Sequence, residues 1–177
     1  MSVLVAYASK HGATQGIAER IAETLRVAGL DAEARPVRDV GNLDGYDAFV
    51  IGSAVYMFHW MKEAVTFLRR NRDLLVTRPV WLFSSGPLGT DETDAQGRNV
   101  REVAAAKETG ELVETVKARD HQMFFGAFQP DKPVGLTERV VMLMPAARDA
   151  FPKGDFRDWE EIDRWAEGIA RSLNSGL

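Results

Sequence analysis

The segment Val3-Leu4-Val5-Ala6-Tyr7-Ala8-Ser9-Lys10-His11-Gly12-Ala13-Thr14 decides how the rest of the chain is read. Val3 to Tyr7 is an unbroken apolar run, the pattern of a strand covered on both faces. A short polar stretch with one glycine follows and runs straight into an amphipathic pattern. Over Ala13 to Ala28, Ile17, Ile21 and Leu25 recur at every fourth position, with Glu19, Arg20, Glu23 and Arg26 on the other side. Gly29 supplies a stop. Strand, tight turn and helix in that order open a parallel α/β sheet.

The pattern repeats outward. Asp31 to Val37 alternates weakly and reads as an outer strand. Ala48 to Ile51 is a third strand ending at Gly52, Pro79 to Phe83 a fourth and Met123 to Phe128 a fifth. Between them, Met61 to Arg70 reads as a helix with Val65 and Leu68 facing in, and Asn99 to Ala118 as helix, broken at Gly110. Asp155 to Leu173 is a last helix, with Trp159, Ile162, Trp165 or Ala166, and Ile169 on its apolar stripe. Five strands alternating with helices predict a parallel sheet between two helical layers. Residues 129–154 interrupt the alternation. They carry Pro130, Pro133, Pro145 and Pro152, with room for one short helix over Leu136 to Ala150, and they delay the last helix. No repeat, low-complexity tract or dividing linker is visible, so residues 1–177 are expected to form one domain.

Composition removes several function classes. At 177 residues a self-sufficient core is feasible. Lys and Arg number 22 against 26 Asp and Glu, and this net charge of −4 argues against a nucleic-acid binder. The absence of cysteine excludes disulfides, thiolate metal sites and thiol nucleophiles. His11, His59 and His121 stand far apart, so no metal site is expected. The amino-terminal apolar run lacks a basic flank and is too short for a leader, and Val140 to Ala147 is far short of a membrane span. A cytoplasmic protein is expected, with contact to a membrane surface left open.

In an open parallel sheet, ligands bind beyond the carboxyl ends of the strands where strand order reverses. Three loops belong there. Ser9-Lys10-His11-Gly12-Ala13-Thr14 offers hydroxyls, a glycine and a helix N-terminus, the parts of a phosphate cradle; the same residues would equally serve as a capped helix start. Gly52-Ser53-Ala54-Val55-Tyr56-Met57-Phe58-His59-Trp60 sets small residues before a dense aromatic group, suited to a flat ring or to a hydrophobic lid. Ser84-Ser85-Gly86-Pro87-Leu88-Gly89-Thr90 is tight and polar, suited to presenting backbone groups to a heteroaromatic edge or to a plain turn. No G-x-x-x-x-G-K-[ST], G-x-G-x-x-G or G-x-S-x-G occurs, which counts against a Walker-type NTPase, a dinucleotide fold and an α/β-hydrolase. Together the three loops describe a site for a planar ring bearing a phosphate, and FMN fits that description.

The succession of these loops resembles the flavodoxin-like family and its three FMN loops. Within it, Ile51-Gly52-Ser53-Ala54-Val55-Tyr56, Phe125-Gly126-Ala127, the added segment and Asp158-Trp159 resemble the branch that includes the menaquinone-dependent protoporphyrinogen dehydrogenase. The resemblance implies a three-layer sandwich with a five-stranded parallel sheet in order 2-1-3-4-5 and an added segment after strand five. It implies that Ser9, His11, Gly12, Ala13 and Thr14 hold the phosphate, with Lys10 as a nearby cation. Ser53, Ala54, Val55 and Tyr56 would line one side of the isoalloxazine, and Ser84, Ser85, Gly86, Pro87 and Gly89 would meet its other edge. Tyr56 or Trp60 would be the stacking ring. Tyr56 is followed by Met57-Phe58 with no glycine until Gly86, so a preference for two-electron chemistry over one-electron shuttling is expected.

An FMN-dependent oxidoreductase needs no side-chain nucleophile, so no catalytic residue is assigned; the flavin N5 carries the chemistry. In the protoporphyrinogen version electrons would pass to a quinone, with Val140 to Met144, Arg139 and Arg148 as possible substrate contacts or ordinary packing and surface residues. A small electron carrier is the alternative, with Asp91, Glu92 and Asp94 steering a basic redox partner protein. A deazaflavin, coenzyme F420, would demand similar contacts. His59 reads as a ring-loop contact or a cap, His121 as structural or solvated, and Trp159 and Trp165 as core contacts of the last helix.

Overall fold

The amino-terminal apolar run is the central strand of a parallel sheet in the computed structural model, which describes residues 1–128 and 153–175. Strand β1 (Ser2–Ala8) is flanked by β2 (Asp31–Pro36) on one side and β3 (Ala48–Tyr56) on the other. Beyond β3 lie β5 (Val80–Ser85) and β6 (His121–Phe124), all parallel, in the order β2-β1-β3-β5-β6. A two-residue strand β4 (His59–Trp60) folds back antiparallel on the end of β3. Without that hairpin strand the order is the 2-1-3-4-5 expected from sequence, and the fold is the α/β flavodoxin-like one.

Strand periodicity divides the core. Val3, Val5 and Tyr7 enter one cluster while Leu4, Ala6 and Ala8 enter the other, because successive side chains point to opposite faces. Helix α1 (Ala13–Val27) covers the first face with Ile17, Ile21 and Leu25 fully buried, the four-residue spacing that the sequence displays. It shares that face with the last helix of the chain, α6 (Trp159–Asn174), which buries Ile162, Ala166 and Ile169. Asp158 caps α6 by accepting from the Glu161 N–H at 2.9 Å. The second face is covered by α2 (Lys62–Arg70), α3 (Arg72–Leu75) and α5 (Thr109–Val116) through Phe67, Leu68, Leu75, Leu112 and Val116. Gly52 stands where the Phe83 ring crosses β3, so closely that a methyl group would collide with it.

Several boundaries differ from the sequence reading. Strand β3 continues past Gly52 to Tyr56 and β5 continues to Ser85, so Ser53 to Tyr56, Ser84 and Ser85 lie in strands rather than loops. The Asn99–Ala118 stretch breaks between α4 (Val100–Val103) and α5, not at Gly110, because the Lys107 N–H leaves the helical path to donate to the Phe58 carbonyl at 2.9 Å. The fifth parallel strand stops at Phe124. Ala127 and Phe128 form a separate strand β7, antiparallel to β8 (Gly154–Asp155). Trp159 is 37% exposed, not a core contact: it lies against the Arg157 guanidinium, 4.4 Å from its ring centre. Trp165 does pack inward, against Phe83 and Phe124, and its indole N–H donates to Asp120. The expected helix over Leu136 to Ala150 and the contacts suggested for Arg139, Arg148 and Val140 to Met144 lie outside the described residues. Among the described residues, no helix is long and apolar enough to cross a membrane.

Candidate functional site

Strand order reverses at β1, because β2 lies to one side of it and β3 to the other. The crevice beyond the carboxyl ends of β1 and β3 is where this topology places ligands. Three chain segments meet there.

The first is the turn from Ala8 into α1. Gly12 adopts φ +87, a left-handed conformation that glycine tolerates without steric cost. The turn is fixed by the Ser9 hydroxyl, which accepts from the Gly12 N–H at 3.0 Å. The helical ladder begins with the Gly16 N–H on the Gly12 carbonyl at 3.0 Å, so the Ala13, Thr14 and Gln15 N–H groups before it are the ones a helix leaves without internal acceptors. No acidic residue occupies the first turn of α1, and its positive dipole end keeps no carboxylate of its own there. Thr14 is 1% exposed, and its hydroxyl has no hydrogen-bond partner among the described residues. A buried hydroxyl with no partner among the described residues, beside the first N–H groups of a helix, has the chemistry to receive an anionic oxygen.

The second segment is the β3–β4 hairpin. Its two central residues, Met57 and Phe58, have φ +49 and +63, the left-handed pair that a two-residue hairpin requires and that usually falls to Asn and Gly. The turn leaves Tyr56, Met57 and Phe58 exposed at 39%, 85% and 50%. Tyr56 meets the first segment: its ring stands edge-on to His11 with centres 6.3 Å apart, and the Lys10 ammonium lies 5.5 Å from its centre. His11 also meets Phe128 of β7, at 6.5 Å. The hairpin is held from behind by Glu108, which accepts from the Trp60 N–H at 2.7 Å and lies 3.0 Å from the His59 ring nitrogen Nδ1. Burial pushes the Glu108 carboxyl up, but these hydrogen bonds outweigh burial and hold it below the usual carboxylate value.

The third segment leaves β5 at Gly86, whose N–H donates to the Phe124 carbonyl, and the Pro87 carbonyl accepts from the Gly126 N–H at 2.9 Å. Gly86 abuts Val55 of β3, so the second and third segments are in contact. Of the acidic residues that follow, Asp94 pairs with Arg98 and Glu92 with Arg101. Arg101 also clamps Glu161 of α6 and the Met123 carbonyl, tying this loop to the far edge of the sheet.

The residues singled out from sequence thus divide. Ser9, Lys10, His11, Gly12, Ala13 and Thr14 assemble beside Tyr56, and Val55 beside Gly86. Three side chains do not serve as expected. Trp60 is 3% exposed and packs under the sheet, its indole N–H donating to the Ser84 hydroxyl at 2.8 Å, so it has no free face for stacking. Ser84 is fully buried and also lies 2.8 Å from His121 Nε2. The Ser53 hydroxyl accepts from the Met61 N–H and donates to the Ala54 carbonyl, so it is spent within the fold. Ala54 and Ser85 are likewise buried in their strands. The reading missed Phe128, Glu108 and Arg157, whose Nη1 reaches the Ala13 carbonyl at 3.2 Å over Gly16. They come from distant parts of the chain and carry no local signal.

With this geometry in place, the chain can be set beside known proteins. A family model described as a flavodoxin domain matches residues 4–150. No curated protein matches the chain. A solved flavodoxin from the domain Archaea is 16% identical, covering 98% of this chain and 99% of its own, at a TM-score of 0.60. Rubredoxin oxygen:oxidoreductase from Desulfovibrio gigas is 15% identical at a TM-score of 0.62, covering 98% of this chain but 36% of its own. A flavodoxin from Streptococcus pneumonia TIGR4 is 16% identical over the whole of both chains, at 0.58. At these identities the likeness establishes the common fold.

Proposed function

Because the chain belongs to the flavodoxin-domain family, whose members generally bind FMN and transfer electrons, we propose that it holds FMN without covalent attachment and works as an electron-transferring oxidoreductase. The observation that carries this reading is the buried Thr14 hydroxyl, without a partner among the described residues, set beside the first N–H groups of α1, which a helix leaves without internal acceptors. Ser9, Gly12, Ala13 and Thr14 would hold the phosphate through backbone and hydroxyl donors, with Lys10 adding positive charge. Tyr56 would flank the ring from the hairpin, and Gly86, Pro87 and Gly89 would border it with backbone groups. When bound, FMN supplies the redox chemistry, and the protein supplies binding, orientation and electrostatics. The exposed Tyr56, Met57 and Phe58 leave an apolar rim where a reductant or oxidant would approach.

A finer version has this site oxidise a porphyrinogen and pass electrons to a quinone, as the resemblance at Ile51 to Tyr56 and Phe125 to Ala127 implies. The carrier version would need exposed acidic charge near the third loop. Of the three acidic residues there, Asp94 and Glu92 pair with Arg98 and Arg101 while Asp91 is exposed, so the charge available to steer a basic partner is reduced. The test is the visible spectrum of the purified protein, with identification of the released chromophore. The two visible bands of a flavin, or stoichiometric uptake of added FMN, are expected. A deazaflavin's single band would replace FMN by coenzyme F420, and a colourless protein that takes up neither would overturn the reading. Porphyrinogen oxidation without a protein partner would then separate enzyme from carrier.

A further inference from the structure

The β3–β4 hairpin carries a conflict. Met57 and Phe58 both occupy left-handed backbone, which bulky side chains disfavour, and both side chains are largely exposed, so no core packing compensates at the turn itself. The compensation comes from the other side of the hairpin. The Phe58 carbonyl accepts from the Lys107 N–H at 2.9 Å. One residue on, the Glu108 carboxylate accepts from the Trp60 N–H at 2.7 Å and sits 3.0 Å from His59 Nδ1. Its side chain is only 15% exposed, and it does not cap the helix it precedes. The carboxylate instead reaches across the fold to the hairpin strand, 48 and 49 residues away at Trp60 and His59. The hairpin so held is the one that sets Tyr56 beside His11 and Lys10.

We propose that Glu108 is a positioning residue of the ring site: it clamps the strained Met57–Phe58 turn and thereby fixes Tyr56 at the mouth of the crevice. Glu108 touches neither substrate nor cofactor; it acts through the backbone of the hairpin. The proposal rests on the FMN reading for its functional meaning, and on the hydrogen bonds alone for its structural one.

The experiment compares wild type, Glu108→Gln, Glu108→Ala, and Glu108→Ala combined with Met57→Asn and Phe58→Gly. Asn-Gly adopts this turn without strain, so the combined variant no longer needs the clamp. FMN affinity is read by fluorescence titration, the ring environment by visible circular dichroism of bound FMN, and the turn itself by amide exchange at Trp60 and Lys107 without FMN. Glu108→Ala is expected to weaken FMN binding roughly tenfold or more, alter the visible dichroism and unprotect both amides. Glu108→Gln keeps an oxygen for the Trp60 N–H and should stay much closer to wild type, and the Asn-Gly turn should restore affinity and dichroism. Unchanged affinity and dichroism in Glu108→Ala would overturn the proposal, as would an Asn-Gly turn that folds but restores neither. If Glu108→Ala does not fold, Met57→Asn/Phe58→Gly with and without Glu108 decides: equal FMN affinity supports the clamp, and a deficit without Glu108 refutes it. A wild type that takes up no FMN would sink the functional reading alone, because exchange at Trp60 and Lys107 still reports whether Glu108 holds the turn.

Discussion

Replacing Thr14 by valine keeps a β-branched shape and deletes one oxygen. That oxygen is buried and has no partner among the described residues, in a side chain 1% exposed. An unpaired buried hydroxyl costs about 1–3 kcal/mol, so the ligand-free protein should gain up to that much on its removal. For a chain of this length each kcal/mol shifts Tm by about 2–4 °C, so a rise of a few degrees is expected. With FMN the sign reverses. A hydrogen bond to a charged oxygen contributes about 1.5–3 kcal/mol, and its loss raises the FMN Kd by about 10- to 150-fold. Thermal denaturation of the ligand-free protein and an FMN titration read the two arms separately. A drop in Tm would mean that the hydroxyl is satisfied in the free protein. An unchanged Kd would mean that the start of α1 does not hold the phosphate.

Gly52→Ala sets a methyl against the buried Phe83 ring, and overpacking of this kind should lower stability by about 1–3 kcal/mol in urea denaturation; a neutral result would show that β3 and β5 shift freely. Ser84→Ala strands the Trp60 indole N–H and one nitrogen of His121, with an expected loss of about 1–3 kcal/mol and a changed tryptophan emission, and an unaltered emission would count against the contact. Burial holds the His121 pKa below its ordinary value of 6.5, against the opposing pull of Asp120. The unfolded chain therefore binds the extra proton first, and stability should fall as pH drops below that value towards the depressed folded pKa. Urea midpoints across this window should slope less in His121→Gln, and parallel slopes would refute the assignment.

The strands and the first helix were legible because their evidence is local, whereas their order came from the resemblance to the flavodoxin-like family. Val3 to Tyr7 and Ala48 to Ile51 are apolar without interruption, and the α1 stripe repeats every fourth residue. The turn into α1 was legible for the same reason: Ser9, Gly12 and Thr14 sit at a strand-to-helix junction, although the sequence left open whether they hold an anion or only start the helix. What sequence did not reveal is tertiary. Ser53 and Ser84 read as loop residues because they are small and polar, yet both are buried in strands, satisfied by Met61 in one case and by Trp60 and His121 in the other. Trp60 looked like a stacking ring because it closely follows two other aromatics, Tyr56 and Phe58, but strand alternation after the Met57–Phe58 turn sends it beneath the sheet. Gly110 looked like a helix break, whereas the break is set by the Lys107 N–H finding a better acceptor in the hairpin.

The pairing of β7 with β8 bears on how such a protein can diversify. Phe128 stands opposite Gly154 in an antiparallel ladder, so two positions distant in sequence lie side by side. Sequence grafted between adjoining positions disturbs no pairing of the parallel sheet, and such sites tolerate insertion best. Evolution can therefore lengthen, trim or exchange the intervening stretch as a unit. A chain of this fold can therefore carry different sequence between these two positions while keeping the same turn from β1 into α1.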